Sequence, residues 1–159
     1  MIIFGIDPGY GIIGFGVIEK LGNKYNVLDY GVITTPAKTD MSLRINMIYN
    51  EITEKINKYN PDVIAMEELF FNKNITTGIA VAQARGVLVL SATQANKKIY
   101  EYTPLQIKQA ITGYGRADKP QMQRMVKTLL NLTAVPKPDD AADALAVALC
   151  CGNSERFGR

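Results

Sequence analysis

The sequence contains no histidine, and its only two cysteines, Cys150 and Cys151, are adjacent. Without histidine there is no Ser/His/Asp triad, no Cys/His dyad and no histidine-ligated metal. Neighbouring cysteines are poorly spaced for an ordinary structural disulfide, and they lack the second pair that a zinc site takes. These absences point to a reducing, cytoplasmic setting and leave acid–base and metal chemistry to carboxylates and lysines. No apolar run reaches the length of a membrane span. The apolar opening "MIIFGIDPGYGIIGFGVI" has no basic leader and is broken by Asp7, Pro8 and several glycines, so it reads as a strand rather than a signal peptide. No repeat, low-complexity tract or linker divides the chain. Its 159 residues suffice for one domain with a sizeable core, expected over residues 1–152, with a short flexible tail at 153–159.

With 47% apolar and 21% charged residues the composition is that of a globular protein. The net charge of +3 is unevenly spread: residues 73–137 hold ten basic residues against two acidic ones, a local +8 that leaves −5 for the remainder. A solvated basic face and a polyanion-binding surface both fit such an excess. A basic field around an acidic pocket suits a phosphodiester backbone better than a membrane.

Along the chain, the apolar run 2–6 stops at Asp7-Pro8-Gly9 and reads as a central strand. Two further strands, 13–20 and 25–35, are joined by a hairpin at "LGNK". Residues 41–59 place Ile45, Ile48, Ile52, Ile56 and Tyr59 at helical spacing, with charged residues between them. A fourth strand at 62–68 runs into Glu67 and Glu68. The small-residue stretch 78–95, with Gly86, predicts a helix packed on both sides, in the core or at a dimer seam. A fifth strand at 98–103 precedes a short helix opened by Pro104 and carrying Lys108. A Gly-rich basic loop at 112–121, a helix starting at "KPQ" and running to Leu132, and a last helix from Asp139 complete the chain. The fold class expected is α/β, with a five-stranded mixed sheet that begins antiparallel and is flanked by helices.

The carboxylates carry the chemistry. Asp7 closes the first strand, Glu67 closes the fourth, and Asp140 and Asp143 lie one turn apart on the last helix, so four acids from three distant segments can converge. Each has a bland alternative: Asp7 as a turn residue before Pro-Gly, Glu67 as a strand end, Asp139 or Asp140 as a helix cap. Asp143 resists one, because its neighbours from Ala141 to Leu149 are all apolar and a buried carboxylate must be paired or bind metal. Clustered like charges call for divalent cations, and oxygen-only ligation selects Mg²⁺ or Mn²⁺. Two such ions roughly 4 Å apart would activate water and stabilise the leaving oxygen of an in-line displacement at phosphorus.

Taken in order, "GIDPGYGIIGFGVI", "MEELFFNKN", "QARGVL", "GYGRADKPQMQRMV" and "DDAADALAVA" closely resemble the RuvC family of bacterial Holliday junction resolvases, over nearly the whole chain. The resemblance implies a ribonuclease H-like fold and a homodimer. It also implies Mg²⁺-dependent nicking of two strands of like polarity at a four-way DNA junction, in recombination and repair. Two Mg²⁺ per subunit, with Mn²⁺ as a substitute, would be held by Asp7, Glu67, Asp140 and Asp143, the four acids already singled out. Phe70 matches an aromatic that stacks on a base at the opened junction; unaided, Phe70 and Phe71 read as core. Lys108 and Lys119 match lysines near the scissile phosphate, Lys119 counting among the catalytic residues, and Arg116 is a further DNA contact. The RuvA–RuvB branch-migration complex is the implied partner. Some relatives have histidine where this chain has Asp140, which leaves the general base open.

A dimer also has a geometric rationale, since two sites related by a two-fold axis match a nearly two-fold junction; the helix at 78–95 is the candidate seam. Three other readings fit parts of the sequence. An ATP-binding actin-like or sugar-kinase relative shares the "GIDPGYG" turn but needs two lobes. A nuclease on the same fold would act on RNA or other branched substrates. A junction-binding module would lack catalysis, against which the four acids argue.

Overall fold

The computed structural model describes residues 1–69 and 75–154. Strands β1 (Ile2–Asp7), β2 (Ile12–Leu21) and β3 (Lys24–Thr34) form an antiparallel meander, and helix α1 (Met41–Tyr59) leads to β4 (Val63–Glu67). Helix α2 (Ile75–Gln94), β5 (Lys98–Tyr102) and helices α3 (Pro104–Thr112), α4 (Lys119–Leu129) and α5 (Asp139–Ser154) follow. The sheet order is β3-β2-β1-β4-β5, with β4 parallel to both β1 and β5. The mixed sheet anticipated from the sequence is therefore present, antiparallel on one side of β1 and parallel on the other.

Side chains alternate across β1, and each face builds its own core. Phe4 and Ile6, with Ile64 and Met66 of β4, bury against Ile48, Ile52 and Ile56 of α1 and Ala84, Leu88 and Ala92 of α2. Ile3, with Val63 and Ala65, faces Leu145 and Leu149 of α5, flanked by Ile107 and Ile111 of α3 and Met122 and Val126 of α4.

Helix α5 is apolar on nearly every side from Ala141 to Gly152, Asp143 excepted, because the sheet lies beneath it and α3 and α4 lie beside it. It sits unusually close to the sheet. A Cβ on Gly5 would stand 2.2 Å from the Ala144 carbonyl oxygen, and one on Gly14 would stand 2.0 Å from that of Asp140. Only glycine at these two positions lets the helix backbone rest on the strands.

Several boundaries differ from the sequence reading. α2 starts at Ile75, three residues early, and α4 stops at Leu129, three residues short of the expected end, where Asn131 takes a left-handed conformation (φ 50°). The basic loop shrinks to residues 113–118, because Thr112 completes α3 and Lys119 opens α4. Capping boxes fix both helix starts, Thr103 with Gln106 and Asp118 with Gln121. Asn153 and Ser154, assigned to the tail from sequence, are the last residues of α5, and Asn153 Oδ1 accepts from the Tyr25 hydroxyl at 2.7 Å.

Candidate active site

Two features of the sheet bring distant acids together. β1 and β4 are parallel and in register from Ile3–Val63 to Ile6–Met66, which places Asp7 and Glu67 one step further along the same ladder, at the carboxyl ends of both strands. Open α/β sheets bind ligands at that edge. On the other side of β1, Asp7 pairs with Gly14, whose missing side chain admits the start of α5; a Cβ there would lie 3.2 Å from the Asp7 Cβ and 2.6 Å from the Asp140 carbonyl carbon. One glycine thus sets Asp140 beside Asp7.

The four acids divide between two depressions. A groove of about 320 Å³ is lined by Glu67, Asp143, Lys108 and Lys119 over an apolar floor of Pro104, Ile107, Met122 and Ala146. A wider cleft of about 550 Å³ is lined by Asp7, Asp140, the β1–β2 turn from Pro8 to Gly11, Lys38, Arg44 and Val81. Asp140 and Asp143, one turn apart on α5, open into different clefts. The sequence suggested that Asp143 was buried among its alanines; in fact it is the residue of α5 between Ala141 and Gly152 that is not buried, with its side chain 35% exposed to the groove.

The electrostatics follow from this crowding. The Asp7 carboxyl is pushed up from 3.8 to about 8, first by burial and then by Glu67, Asp143 and Asp140, with Lys119 pulling the other way. Burial also raises Glu67, reinforced by Asp143 and opposed by Lys108 and Lys119. Burial raises Asp143 against the pull of Lys119, which lies 3.2 Å from its Oδ2. Burial disfavours the Lys119 ammonium, but Asp143 and Asp139 outweigh it and its pKa rises. The result is a crowding of acids that Lys108 and Lys119 do not offset.

Among the described residues, no group of three or more His, Cys, Asp and Glu is arranged so as to hold a metal ion as it stands. The donor set nevertheless suits a hard divalent cation: every donor is a carboxylate oxygen, and the mutual repulsion registered at Asp7 is what such a cation relieves.

Of the other residues singled out from sequence, Lys108 and Lys119 line the groove, while Arg116 is exposed in the 113–118 turn. Phe70 and Phe71 lie outside the described residues. Part of the basic band is engaged elsewhere: Arg85 pairs with Glu101, Lys97 donates to Asn60 Oδ1 at 2.7 Å, and Lys137 pairs with Asp139.

Sequence reasoning missed two networks. Asp139, read as a helix cap, instead accepts from Gln123 Nε2 at 2.9 Å and pairs with Lys119 at 3.4 Å, tying α4 to α5; the hydrogen bonds from Lys137 and Gln123 hold its carboxyl below the usual range. Arg44, read as part of the polar face of α1, donates to Thr35 Oγ1 at 2.9 Å and lies 4.8 Å over the Tyr10 ring. The apolar period of α1 marks Arg44 only as outward-facing, so nothing in the sequence flagged this contact.

Residues 3–151 match the family described as "Crossover junction endodeoxyribonuclease RuvC". A protein of that name from Halothermothrix orenii is 60% identical over 159 residues, covering all of this chain and 96% of its own length. The structure of Thermus thermophilus RuvC superposes with a TM-score of 0.90 at 34% identity, covering 99% of this chain and 97% of that one. T. thermophilus RuvC in complex with Holliday junction substrate gives 0.91 at 31% identity with the same coverage. A five-stranded mixed sheet with paired acids at its carboxyl edge, a last helix that brings two more acids toward them and matches of this length and identity agree: the chain belongs to the RuvC family of crossover junction endodeoxyribonucleases.

Proposed function

We propose that this chain is a structure-specific endonuclease that resolves four-way DNA junctions by paired nicks in strands of like polarity, in homologous recombination and repair. The observation that carries the reading is Asp7: a carboxylate at the strand edge, surrounded by Glu67, Asp140 and Asp143, with lysines on the flank. Asp7, Glu67, Asp140 and Asp143 would hold Mg²⁺, two ions per subunit during turnover, with Mn²⁺ as a substitute. Bound there, the ions supply Lewis acidity toward the phosphoryl oxygens and an activated water.

The protein's own residues do the rest. Lys108 and Lys119 bind backbone phosphates and offset charge as it develops on the phosphorus. Lys119 is held over the acids by Asp139 and Asp143, so its ammonium is positioned before substrate arrives. Phe70 would stack on a base at the opened junction, and Arg116, exposed beside the groove helices, would add a backbone contact. With no histidine, proton transfer falls to a carboxylate, to Lys119 or to solvent.

Two subunits are needed for two cuts. Helix α2 presents Ile79, Ala82, Gly86 and Leu90 at helical spacing, with Ile79 58% and Leu90 49% exposed, and it is the proposed seam. The RuvA–RuvB branch-migration complex would be the partner at the junction. Among the described residues no helix is long and apolar enough to cross a membrane, in keeping with action on cytoplasmic DNA.

The test is a labelled synthetic four-way junction beside the matching linear duplex, with Mg²⁺ or EDTA, using the wild type and Asp7→Asn. Paired symmetric nicks confined to the junction, requiring both metal and Asp7, are expected. Binding without cutting would indicate a non-catalytic module, and equal cutting of linear duplex a general nuclease.

A further inference from the structure

Lys108 and Lys119 grip only one side of the acids. Lys108 belongs to α3, which follows β5 at one edge of the sheet. At the opposite edge, β3 ends at Thr34, paired with Ile12 at the start of β2, so β3 leaves the sheet at the same end as Asp7 and Glu67. The residues that follow β3 carry Lys38, and the first turn of α1 carries Arg44. Both line the cleft that also contains Asp7 and Asp140.

The build of this cleft is specific. Arg44 Nε donates to Thr35 Oγ1 at 2.9 Å and Nη2 to the Thr35 carbonyl at 3.3 Å, while Thr35 Oγ1 donates to the Tyr10 carbonyl at 2.5 Å. The Thr35 amide donates to the Gly11 carbonyl at 2.9 Å, and Thr35 is buried. The β1–β2 turn, which follows Asp7, is thus laced to the guanidinium through Thr35. These contacts use part of the five-donor fork, and neither Arg44 nor Lys38 has a carboxylate partner among the described residues. Lys38 is exposed and sits at φ 60°, a conformation that costs a residue with a side chain free energy and is kept where the surroundings impose it. Two uncompensated cations beside two acids form an arrangement that a phosphodiester completes.

We infer that this cleft is a second backbone-binding surface, in which Lys38 and Arg44 hold phosphates of the cleaved strand on the side of the acids opposite Lys108 and Lys119. The inference rests on the reading of the chain as a junction nuclease and adds the path of the strand: across the carboxyl edge of the sheet, from the α3–α4 groove to the Tyr10–Arg44 cleft, with the acids beneath its middle. Arg44 has a further part as a positioning residue, because it braces the turn that directly follows Asp7.

The test measures binding of the full chain to a four-way junction in EDTA across a salt series, for wild type, Lys38→Gln, Arg44→Gln and Lys108→Gln. Junctions carrying single neutral methylphosphonates on either side of the cut are measured in the same way. Each lost contact should flatten the slope of log Kd against log salt by about 0.7–0.9. A methylphosphonate on one side should weaken wild type by about tenfold yet add nothing to the loss in Lys38→Gln, while one on the other side behaves so for Lys108→Gln. Wild-type slope and wild-type interference in Lys38→Gln would overturn the inference. Lys38 is exposed, so that variant decides the matter even if Arg44→Gln unfolds. Cutting of the unmodified junction in Mg²⁺ by wild type is scored in parallel: if it fails, the nuclease reading falls too, and if it succeeds while Lys38→Gln matches wild type, only the strand path falls.

Discussion

Lys119 reaches the Asp143 carboxylate across 3.2 Å, and since one opens α4 and the other faces out of α5, the pair joins two helices at the lip of the groove. The same ammonium touches Asp139 at 3.4 Å, so it is set over the acids without substrate. Lys119→Gln is expected to lower the cleavage rate by about 100-fold while weakening junction binding far less, because the charge matters most as the transition state develops. Single-turnover rates and binding in EDTA separate the two. Equal losses in both would make Lys119 an ordinary phosphate contact.

The raised pKa of Asp7 gives stability a pH dependence opposite in sign to that of a salt-bridged acid. Between its ordinary 3.8 and about 8, the folded chain binds a proton that the unfolded chain has released, so stability falls as pH rises through that window. The full cost is on the order of 5 kcal/mol above pH 8. Asp7→Asn should therefore melt about 10–20 °C higher than wild type at pH 8.5 in EDTA, should converge with it near pH 4, and should not cut. Melting curves at both pH values check this; a variant less stable than wild type at pH 8.5 would show that Asp7 is well solvated or paired.

Metal binding should compete with that proton. Mg²⁺ is expected to raise the melting temperature of wild type, with an affinity that climbs about tenfold per pH unit below 8 and levels off above it. Glu67→Gln and Asp143→Asn should each lose most of the rise. Calorimetry in two buffers of different ionisation enthalpy would count the protons released; none released at pH 6.5 would place Asp7 outside the metal set.

Gly14→Ala tests the seat of α5. Its Cβ would stand 2.0 Å from the Asp140 carbonyl oxygen, in contact with backbone that cannot rotate away. A loss of about 3 kcal/mol or more is expected, with cleavage falling further than stability alone explains, since Asp140 is displaced from Asp7. Urea unfolding and cleavage on the same preparation check it.

Gly86 is the contrasting glycine. A Cβ there meets nothing within 4 Å in the single chain, so Gly86→Ala should stabilise α2 by about 1 kcal/mol, whereas Gly86→Arg should leave the fold intact and shift the protein to monomers that make single nicks. Sedimentation velocity with both variants decides whether α2 is the seam.

The sequence disclosed the strands and the acids more readily than the paths between them. Ile48, Ile52 and Ile56 mark α1 by spacing alone, and its ends fall where that spacing predicts, at Met41 and Tyr59. The acids stood out because charge at the end of an apolar strand has few uses. Gly5 and Gly14 looked like ordinary strand glycines, since close approach depends on a helix more than a hundred residues away. Asp139 followed the local grammar of a helix start, and its bond to Gln123 is a tertiary contact that no local pattern encodes. The division of the acids between two clefts was likewise invisible, because Asp140 and Asp143 share a helix face by spacing and part company only when α4 closes over one of them.

The placement of α5 also orders events in time. The central layer of one core and two of the four carboxylates arrive together on the final helix, after every strand has been laid down. A chain halted anywhere before Asp139 can fill the core on the α1 and α2 face but not the opposite one, and it carries only two of the four acids. Asp140 and Asp143 therefore come to lie near Asp7 and Glu67 only when that helix docks on its bed of glycine.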